Sequence, residues 1–351
     1  MISKFIGKLK SSPLAKRHLE LIFIKAIEDD FDFDKKIIGS FKDSFNKKYD
    51  LLFGLRSKLK PGWQSMLNTA NNTIPAKADL RANLREAKRR IRDLKNTLKS
   101  FNVVLQGKTI LEIGCFNGMK TDILALEDCL SVTGSDVSFY YEKQTNERSE
   151  PAVNNYLNQL RQTVTNLFTV KDRNIIDKKV KFVEDDISKS SLPDNSFDII
   201  VSWETLEHII DINSAFANIQ RLLRPNGISI HQYNPFFSLN GGHSLCTLDF
   251  LWGHCRLNEN DVIRYFKEIR SEEYQLASSF YMDGLNRMAQ SDLKIASEKA
   301  GLEILTLIPF VKKAHLSVYM NDFYEETKQH YPNVEPIDLI SPIVWIVHKK
   351  K

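Results

Sequence analysis

From residue 108 onward, short apolar runs alternate with longer stretches that repeat apolar positions at helical spacing. The short runs lack polar alternation, which is typical of parallel strands that are buried on both faces. This order predicts an α/β domain with a mostly parallel, doubly wound sheet of seven strands. We expect strands at 108–113, 131–136, 179–184, 197–203, 227–232, 302–309 and 342–349, and helices near 119–127, 151–169, 212–223 and 289–300.

Residues 1–106 show no convincing strand pattern, which predicts a helical N-terminal extension. Within 33–60 the apolar residues recur at helical intervals: Phe33, Ile37, Phe41, Phe45 and Leu52. The best-defined helix spans 79–99 and has a narrow apolar seam: Leu80, Leu84, Ala87, Ile91, Leu94 and Leu98. Three interpretations of this helix stay open. The first is a helix that packs on the domain with solvated basic sides, the second is a coiled-coil homodimer, and the third is a surface that binds phosphate-bearing partners.

The formal net charge of +5 is unevenly distributed along the chain. Residues 1–106 hold 23 Lys and Arg against 11 Asp and Glu (+12), and the remainder holds 26 against 33 (−7). A basic extension is therefore joined to a mildly acidic domain at 107–351. Four cysteines do not suggest a disulfide framework, and no apolar run approaches the roughly 18 residues of a membrane span. Because a signal-peptide pattern is also lacking, we expect a cytoplasmic protein.

Candidate chemistry collects where the predicted strands end. The first strand runs through Glu112 into a turn bracketed by Gly114 and Gly118, where the missing Cβ atoms let backbone approach a ligand. The second strand ends in Asp136, which can accept hydrogen bonds from both hydroxyls of a ribose. The third ends in Asp186 followed by an apolar residue, a pair that suits the amino group and flat face of adenine. These positions predict a nucleotide-type site at one edge of the sheet.

Four blocks carry a family resemblance: LEIGCFNG (111–118), SDVS (135–138), FVEDDISKSSLPDNSFDIIVS (182–202) with LEHI (206–209), and LLRPNGISI (222–230). In this order they resemble class I S-adenosylmethionine-dependent methyltransferases. Each block is weak alone, and their joint order and spacing make the signal specific. The resemblance covers 108–234 well and 287–349 loosely. It leaves out the extension and an insertion at about 232–285.

The resemblance implies a Rossmann-like methyltransferase sheet, S-adenosylmethionine as cofactor, and methyl transfer as activity. Carried over by position, it implies a methionine pocket at the glycine turn, ribose binding by Asp136 and adenine binding by Asp186. One departure is Phe116, which stands where the family often has glycine and is strained if its φ is positive. The same residue disfavours a GxGxxG dinucleotide fingerprint. The implied cofactor-binding residues are Glu112, Gly114, Cys115, Asn117, Gly118, Asp136, Val137, Asp186, Ile187 and Trp203.

The insertion is rich in aromatic, His and Gly residues, and we expect it to cover the acceptor. Aromatic walls with a few polar groups suit a saccharide; the alternative is a subdomain whose Trp and His pack internally. A hydroxyl acceptor needs a base or a metal, so the candidate catalytic residues are His208, His243 and His254. These features favour O-methylation of a saccharide or lipid-linked intermediate. The basic extension favours an anionic membrane surface as a peripheral partner.

Two other functions stay open. One is an RNA methyltransferase that uses 1–106 as a tract-binding arm, although NPFF (234–237) matches a planar-amine motif only partly. The other is a non-catalytic cofactor-binding or scaffold protein that dimerises through 79–99. A zinc site is not expected, because adjacent His and Cys ligands fit tetrahedral geometry poorly. The residues of that set are His243, Cys246, His254 and Cys255.

Overall fold

The computed structural model describes residues 36–59, 76–137, 150–311, 315 and 322–351. The strands are β1 (Ile37–Lys42), β2 (Lys48–Leu52), β3 (Thr109–Ile113), β4 (Ser131–Asp136), β5 (Val180–Glu184), β6 (Phe197–Trp203), β7 (Leu223–Tyr233), β8 (Leu302–Phe310) and β9 (Ile343–Lys350). The first helices are α1 (Leu55–Leu59), α2 (Lys77–Ser100), α3 (Met119–Ala125), α4 (Glu150–Thr165), α5 (Val170–Lys179) and α6 (Ile212–Leu222). They are followed by α7 (His243–Cys246), α8 (Gly253–Arg256), α9 (Glu259–Ile269), α10 (Tyr274–Asp283), α11 (Gln290–Lys299), α12 (Phe323–His330) and α13 (Pro336–Ile340).

Seven strands form one sheet in the order β5-β4-β3-β6-β7-β9-β8. The strands β3 to β7 pair in parallel, and β9 runs antiparallel to both β7 and β8. This confirms the predicted doubly wound α/β class, with strand ends within four residues of those expected. The chain moves outward from β3 to β5 and then returns to β6 on the other side of β3. The carboxyl ends of β3 and β6 therefore flank the switch point where such sheets bind ligands.

Both faces of the sheet are covered, which explains the unbroken apolar runs. Ile110 packs on the face that carries α2, α3 and α4, and the next residue, Leu111, packs on the face that carries α6 and α11. Successive strand residues point to opposite faces, so a strand that is buried on both needs apolar residues at every position.

The apolar seam of α2 belongs to the core of this domain. Ile91 is 1% exposed, and Leu94 and Leu98 are fully buried. They pack with residues of α3 and β3 in one cluster. This confirms the interpretation in which α2 packs on the domain with its basic sides in solvent. The coiled-coil interpretation is wrong, because the side chains that would form the dimer seam are already buried within the chain.

The prediction of helix across 33–60 is wrong for 37–52, where β1 and β2 form an antiparallel hairpin. Asp43 sets the turn, because its Oδ1 accepts the backbone N–H groups of Phe45 and Lys47. Asn46 adopts a left-handed φ of 70°. Side-chain capping of this kind and a left-handed Asn are turn signals that outweigh coincidental helical spacing. The remaining expectations for 1–35 and 60–75 lie outside the described residues.

The segment after β7 builds a separate apolar cluster that we call the helical subdomain, residues 234–285. It contains α7 to α10 and no strand. The hairpin docks on it, since Phe41, Tyr49 and Leu51 join the same cluster. The aromatic residues of the subdomain pack internally, with Trp252 1% exposed. This confirms the packing alternative over the aromatic-wall expectation. Among the described helices, none combines the length and apolar character needed to cross a membrane.

Two fully buried histidines link neighbouring strands of the sheet, and one of them also contacts α11. Nδ1 of His231 lies 2.8 Å from the Ser202 hydroxyl, while His348 lies 3.0 Å from Ser229 and 2.9 Å from Ser297. Burial lowers the pKa of His231 to about 3 and the pKa of His348 well below its ordinary value. Both rings are therefore neutral in the folded protein at neutral pH, and their role is structural.

Acid should destabilise the fold through these rings, because an unfolded histidine binds a proton below pH ~6.5 and the buried ring does not. Stability is present above that pH and is lost as pH falls towards the folded pKa of about 3. Between pH 6.5 and 4.5, wild type should lose about 2 kcal/mol more than His231→Asn, which keeps a polar partner for Ser202. Urea unfolding at the two pH values measures this difference, with His330→Asn as control. Parallel pH dependences of wild type and His231→Asn would contradict it.

Candidate cofactor and acceptor site

A left-handed turn follows β3 and begins α3. Gly114, Phe116 and Gly118 have φ values of 70°, 47° and 75°. A Cβ atom at Gly114 would collide with the side chain of Thr205, so glycine is required there by both conformation and space. Phe116 adopts the strained conformation foreseen from the sequence, and its ring is 45% exposed. The turn therefore presents backbone and one exposed aromatic ring at the switch point.

Asp136 lies at the end of β4, beside this turn. Its Oδ2 accepts the N–H of Phe116 at 2.6 Å, and its Oδ1 accepts the N–H of Val137 at 2.8 Å. Burial raises the pKa of Asp136, and the two backbone hydrogen bonds offset this in part. Each carboxylate oxygen keeps a second lone pair. Asp136 therefore anchors the glycine turn and can still accept hydrogen bonds from a diol.

Glu112 is fully buried beneath the turn rather than open to it. Its Oε2 accepts the Thr121 hydroxyl at 2.5 Å, and Oε1 lies 3.6 Å from Nζ of Lys120. Burial raises the pKa of Glu112 to about 7, with Lys120 acting in the opposite direction. The carboxyl group thus joins the end of β3 to the start of α3. This arrangement holds the turn that the sequence assigned to the methionine pocket.

Asp185 and Asp186, which follow β5, make different contacts. Oδ1 of Asp186 accepts both the N–H and the hydroxyl of Ser188, which caps the short 3₁₀ turn Ile187–Lys189. Asp185 is tied to the site differently: its N–H donates to the carbonyl of Asp136, and its buried Oδ2 has no hydrogen-bond partner among the described residues. Ile187 is buried. Adenine binding by Asp186 stays a prediction, and Asp185 is a neighbouring acceptor that sequence reasoning passed over.

The remaining predicted cofactor residues surround the same turn. Asn117 accepts the N–H of Met119 and so helps to start α3. Cys115 and Trp203 are buried, whereas Val137 is 40% exposed. Nζ of Lys120 lies 5.8 Å from the centre of the Trp203 ring. Val137 is placed to offer an apolar surface to a ligand, whereas Cys115 and Trp203 support the turn from below.

A second group of polar side chains lies where β6 meets the helical subdomain. One ligand atom from each of Glu207, His208 and His243 lies within 4.8 Å of the others. The His208 and His243 ring centres are 5.0 Å apart, and Nε2 of His243 is 4.0 Å from Oε1 of Glu207. We call these three residues the acceptor-edge cluster. Thr205, two residues before Glu207, contacts Gly114, so the cluster adjoins the glycine turn.

The sequence predicted two members of this cluster and missed the third. His208 and His243 are brought together although 34 positions separate them. Glu207 was not assigned a role, although an acid directly before a candidate histidine is a usable signal. It is 1% exposed, and its Oε1 accepts the N–H of Asn234. A buried carboxylate beside two imidazoles is typical of a functional site.

His254 does not belong to this group, and the expectation that it is a candidate catalytic residue is wrong. It is fully buried inside the helical subdomain. Nε2 of the ring bonds the carbonyl of Phe236 at 2.7 Å. Burial lowers its pKa to about 4. A neutral ring enclosed by the apolar cluster stabilises packing and has no route to an acceptor.

Comparison with known proteins agrees with this geometry. A family model described as a methyltransferase domain matches residues 77–307, about two thirds of the chain. The chain is 28% identical over 149 residues to 27-O-demethylrifamycin SV methyltransferase of Amycolatopsis mediterranei, covering 42% of this chain and 46% of that protein. It is 28% identical over 124 residues to 2-methyl-6-phytyl-1,4-hydroquinone methyltransferase of Synechocystis sp., covering 35% and 31%. The match thus spans less than half the length of each relative.

A solved S-adenosylmethionine-dependent methyltransferase from Mesorhizobium loti is similar at a TM-score of 0.42 and 13% identity, covering 72% of this chain and 96% of that one. The family model begins at residue 77, so α2 lies inside the matched region. The chain belongs to the class I S-adenosylmethionine-dependent methyltransferase family. S-adenosylmethionine is its cofactor, and the residues at the glycine turn fit it: Asp136 keeps lone pairs that can accept from a diol, and Val137 is exposed beside it.

Asp136→Ala should abolish measurable S-adenosylmethionine binding, because it removes both the proposed acceptor for the ribose and the anchor of the Phe116 N–H. We expect the Kd to rise at least about 100-fold, which corresponds to the loss of two charge-assisted hydrogen bonds. Isothermal titration calorimetry measures this. Asp128→Ala, at an exposed position after α3, is the matched control and should leave the Kd unchanged. Equal affinity of the two variants would refute the assignment of Asp136.

Proposed function

We propose that this protein transfers the methyl group of S-adenosylmethionine to a hydroxyl group of a small-molecule acceptor. The observation that carries the proposal is the position of the acceptor-edge cluster next to the glycine turn, with Thr205 in contact with Gly114. A cofactor held at Asp136 and an acceptor held at Glu207, His208 and His243 would meet across this contact. That arrangement would bring two reactants together at one edge of the sheet.

Bound S-adenosylmethionine supplies an electrophilic methyl group on a sulfonium. The residues of this chain have two tasks. Those around the glycine turn orient the cofactor, since the left-handed backbone and Asp136 define one edge of its pocket. The imidazoles of His208 and His243 offer nitrogen atoms that accept the proton of an acceptor hydroxyl. Transfer would join the acceptor oxygen to the methyl carbon as the C–S bond of the bound cofactor broke, with the electron pair of that bond remaining on sulfur.

The acceptor is proposed to be a saccharide or a lipid-linked intermediate, both of which present hydroxyl groups. Two relatives are named for substrates of comparable chemistry, a hydroquinone and an O-demethylated rifamycin. The support for a sugar-binding aromatic wall is reduced, because Trp252 and its aromatic neighbours are buried in the helical subdomain. The proposal of a hydroxyl acceptor is therefore supported by the acceptor-edge cluster, and the experiment below identifies the chemical class of the acceptor.

Incubation with methyl-labelled S-adenosylmethionine and a cell extract should place label in a soluble saccharide or a lipid-linked fraction. Mild alkali separates an O-methyl ether, which survives, from a methyl ester, which does not. His208→Asn should lower label transfer at least about 100-fold while leaving the cofactor Kd unchanged, as expected for loss of a proton acceptor. His330→Asn is the matched control. Label recovered in RNA would favour the RNA methyltransferase instead, and cofactor binding without any transfer would favour the non-catalytic alternative.

The exposed side of α2 supports a peripheral partner. Its basic stripe consists of Arg81, Arg85, Lys88, Arg92, Lys95 and Lys99, which step by four and three residues along one face. Lys95 pairs with Glu127 at 2.6 Å, and the other five form no ion pair with any described residue. A row of uncompensated charges of one sign attracts an anionic surface.

We propose that this surface is an anionic membrane. The helix carries no aromatic residue on which single-stranded bases could stack, which disfavours RNA as the partner. Arg90 pairs with Glu204 just after the carboxyl end of β6, so the middle of α2 lies beside the acceptor edge. A membrane held there would bring a lipid-linked acceptor towards the site.

Reversing three charges of the stripe (Arg85→Glu, Lys88→Glu and Arg92→Glu) should weaken binding to phosphatidylglycerol vesicles at least about 100-fold, since each basic residue contributes about 1 kcal/mol. Vesicle cosedimentation at several salt concentrations measures this. The matched control reverses three exposed lysines on other helices: Lys267, Lys294 and Lys299. Equal loss in both variants would mean that net charge, not the stripe, controls binding. Tight RNA binding without vesicle binding would overturn the membrane proposal.

A further inference from the structure

We infer that the acceptor-edge cluster binds one divalent transition-metal ion, which in turn holds the acceptor hydroxyl. Nothing in the sequence pattern assigned a metal to these residues, and the inference deepens the proposed function on which it rests. Its ligands are one carboxylate, Glu207, and two imidazoles, His208 and His243. Glu207 and His208 lie in the short 3₁₀ turn Leu206–His208 after β6, and His243 begins α7, so the site lies where the sheet meets the helical subdomain.

The distances suit a shared ion. Metal bonds to imidazole nitrogen and carboxylate oxygen are about 2.0–2.2 Å long, so two ligand atoms of one ion lie at most roughly 4.3 Å apart. Nε2 of His243 and Oε1 of Glu207 are separated by 4.0 Å, inside that limit. One ligand atom from each of the three residues lies within 4.8 Å of the other two.

The surrounding hydrogen bonds orient the ligands for this task. Nδ1 of His208 lies 2.6 Å from the carbonyl of Gly284, and because a carbonyl only accepts, Nδ1 carries the proton. In a ring with one proton, Nε2 then carries the lone pair that a metal ligand requires. Oε1 of Glu207 accepts the N–H of Asn234. Backbone partners that fix ring tautomer and carboxylate orientation are what metal ligands require in their outer shell.

His243 begins α7 in an uncommon backbone conformation. Its φ is 51°, in the left-handed region, where residues other than Gly are uncommon although Asn, Asp and His are enriched. The two preceding residues are Gly241 and Gly242, and a Cβ atom on either would collide with backbone of Phe236 or Cys246. The turn thus places the His243 ring 5.0 Å from the His208 ring, measured between ring centres. Left-handed residues other than Gly cluster at functional sites.

The ligand types select the class of metal. Two imidazoles and one carboxylate suit divalent manganese, iron, cobalt, nickel or zinc, whereas magnesium and calcium prefer all-oxygen sites. The alternative set of His243, Cys246, His254 and Cys255 is not gathered within the part of the chain that the structure describes. Three protein ligands also leave coordination positions for an acceptor oxygen.

A bound ion would change how the hydroxyl is activated. Coordination lowers the pKa of the acceptor hydroxyl, so its proton passes to solvent and a metal-bound alkoxide remains. The alkoxide oxygen forms the C–O bond while the C–S bond of the sulfonium breaks. His208 and His243 then act as ligands, and the ion supplies the activation that a free imidazole would otherwise provide.

The test is spectroscopic and does not depend on turnover. Full-length protein stripped with a chelator is titrated with Co²⁺, whose visible absorption reports bound nitrogen and oxygen ligands. Titration with Mn²⁺ is followed by the loss of its free-ion electron paramagnetic resonance signal. We expect one equivalent per chain. No binding of either ion would overturn the inference.

Three variants remove one ligand each while preserving local structure. Glu207→Gln keeps the shape of the side chain. His208→Asn keeps a donor for the Gly284 carbonyl. His243→Asn keeps a residue that tolerates positive φ. Each should weaken Co²⁺ binding at least about 10-fold. The control, His330→Asn, should bind as wild type does; equal binding by all four variants would overturn the site.

Asp136→Ala separates the two proposals. It should lose S-adenosylmethionine binding and keep its Co²⁺ spectrum, because Asp136 is not a ligand of the cluster. Metal binding without methyl transfer by wild type would refute the proposed function alone. Methyl transfer that survives complete metal removal, with no Co²⁺ bound by wild type, would refute the metal site alone.

Discussion

Burial of the central strands on both faces is the constraint on which the rest of this structure depends. Strands β3 and β6 lie in the middle of the sheet with apolar layers above and below, so the residues along the middle of both strands are buried. Polar chemistry is therefore confined to the strand ends. At the carboxyl edge, β3 leads into the Gly114 turn and β6 leads into the Glu207–His208 segment. The Gly114 turn and the Glu207–His208 segment both lie at this edge because of that restriction.

The glycine turn is stabilised from three directions. Asp136 binds the N–H of Phe116 from β4, and Glu112 binds Thr121 of α3 from beneath. Thr205 fills the space that a Cβ at Gly114 would occupy. The turn is thus shaped before any ligand binds, which reduces the conformational entropy that a bound cofactor has to overcome. The same contacts connect the cofactor side of the site to the segment that carries His208.

The helical subdomain completes the other half of the site by packing rather than by flexibility. Its aromatic residues form a core of their own, and the hairpin closes one side of it through Phe41 and Tyr49. A rigid subdomain can hold His243 in a left-handed conformation opposite His208, which a mobile loop could not do. The basic stripe of α2, by contrast, lies in solvent, while the apolar seam on the other side of the helix fixes it to the sheet.

The sequence by itself determined the sheet, because apolar runs, helical periods and punctuating glycines are local signals that agree with one another. It also located the Gly114 turn and Asp136 for the same reason, since strand ends can be read from the pattern. Only the tertiary structure decided the rest. The hairpin depended on turn chemistry at Asp43, the seam of α2 could be judged only against its partner, and His254 was separated from His243 by burial. Glu207 joined the two imidazoles because distant segments pack together, and one-dimensional spacing carries no information about which side chains converge in space.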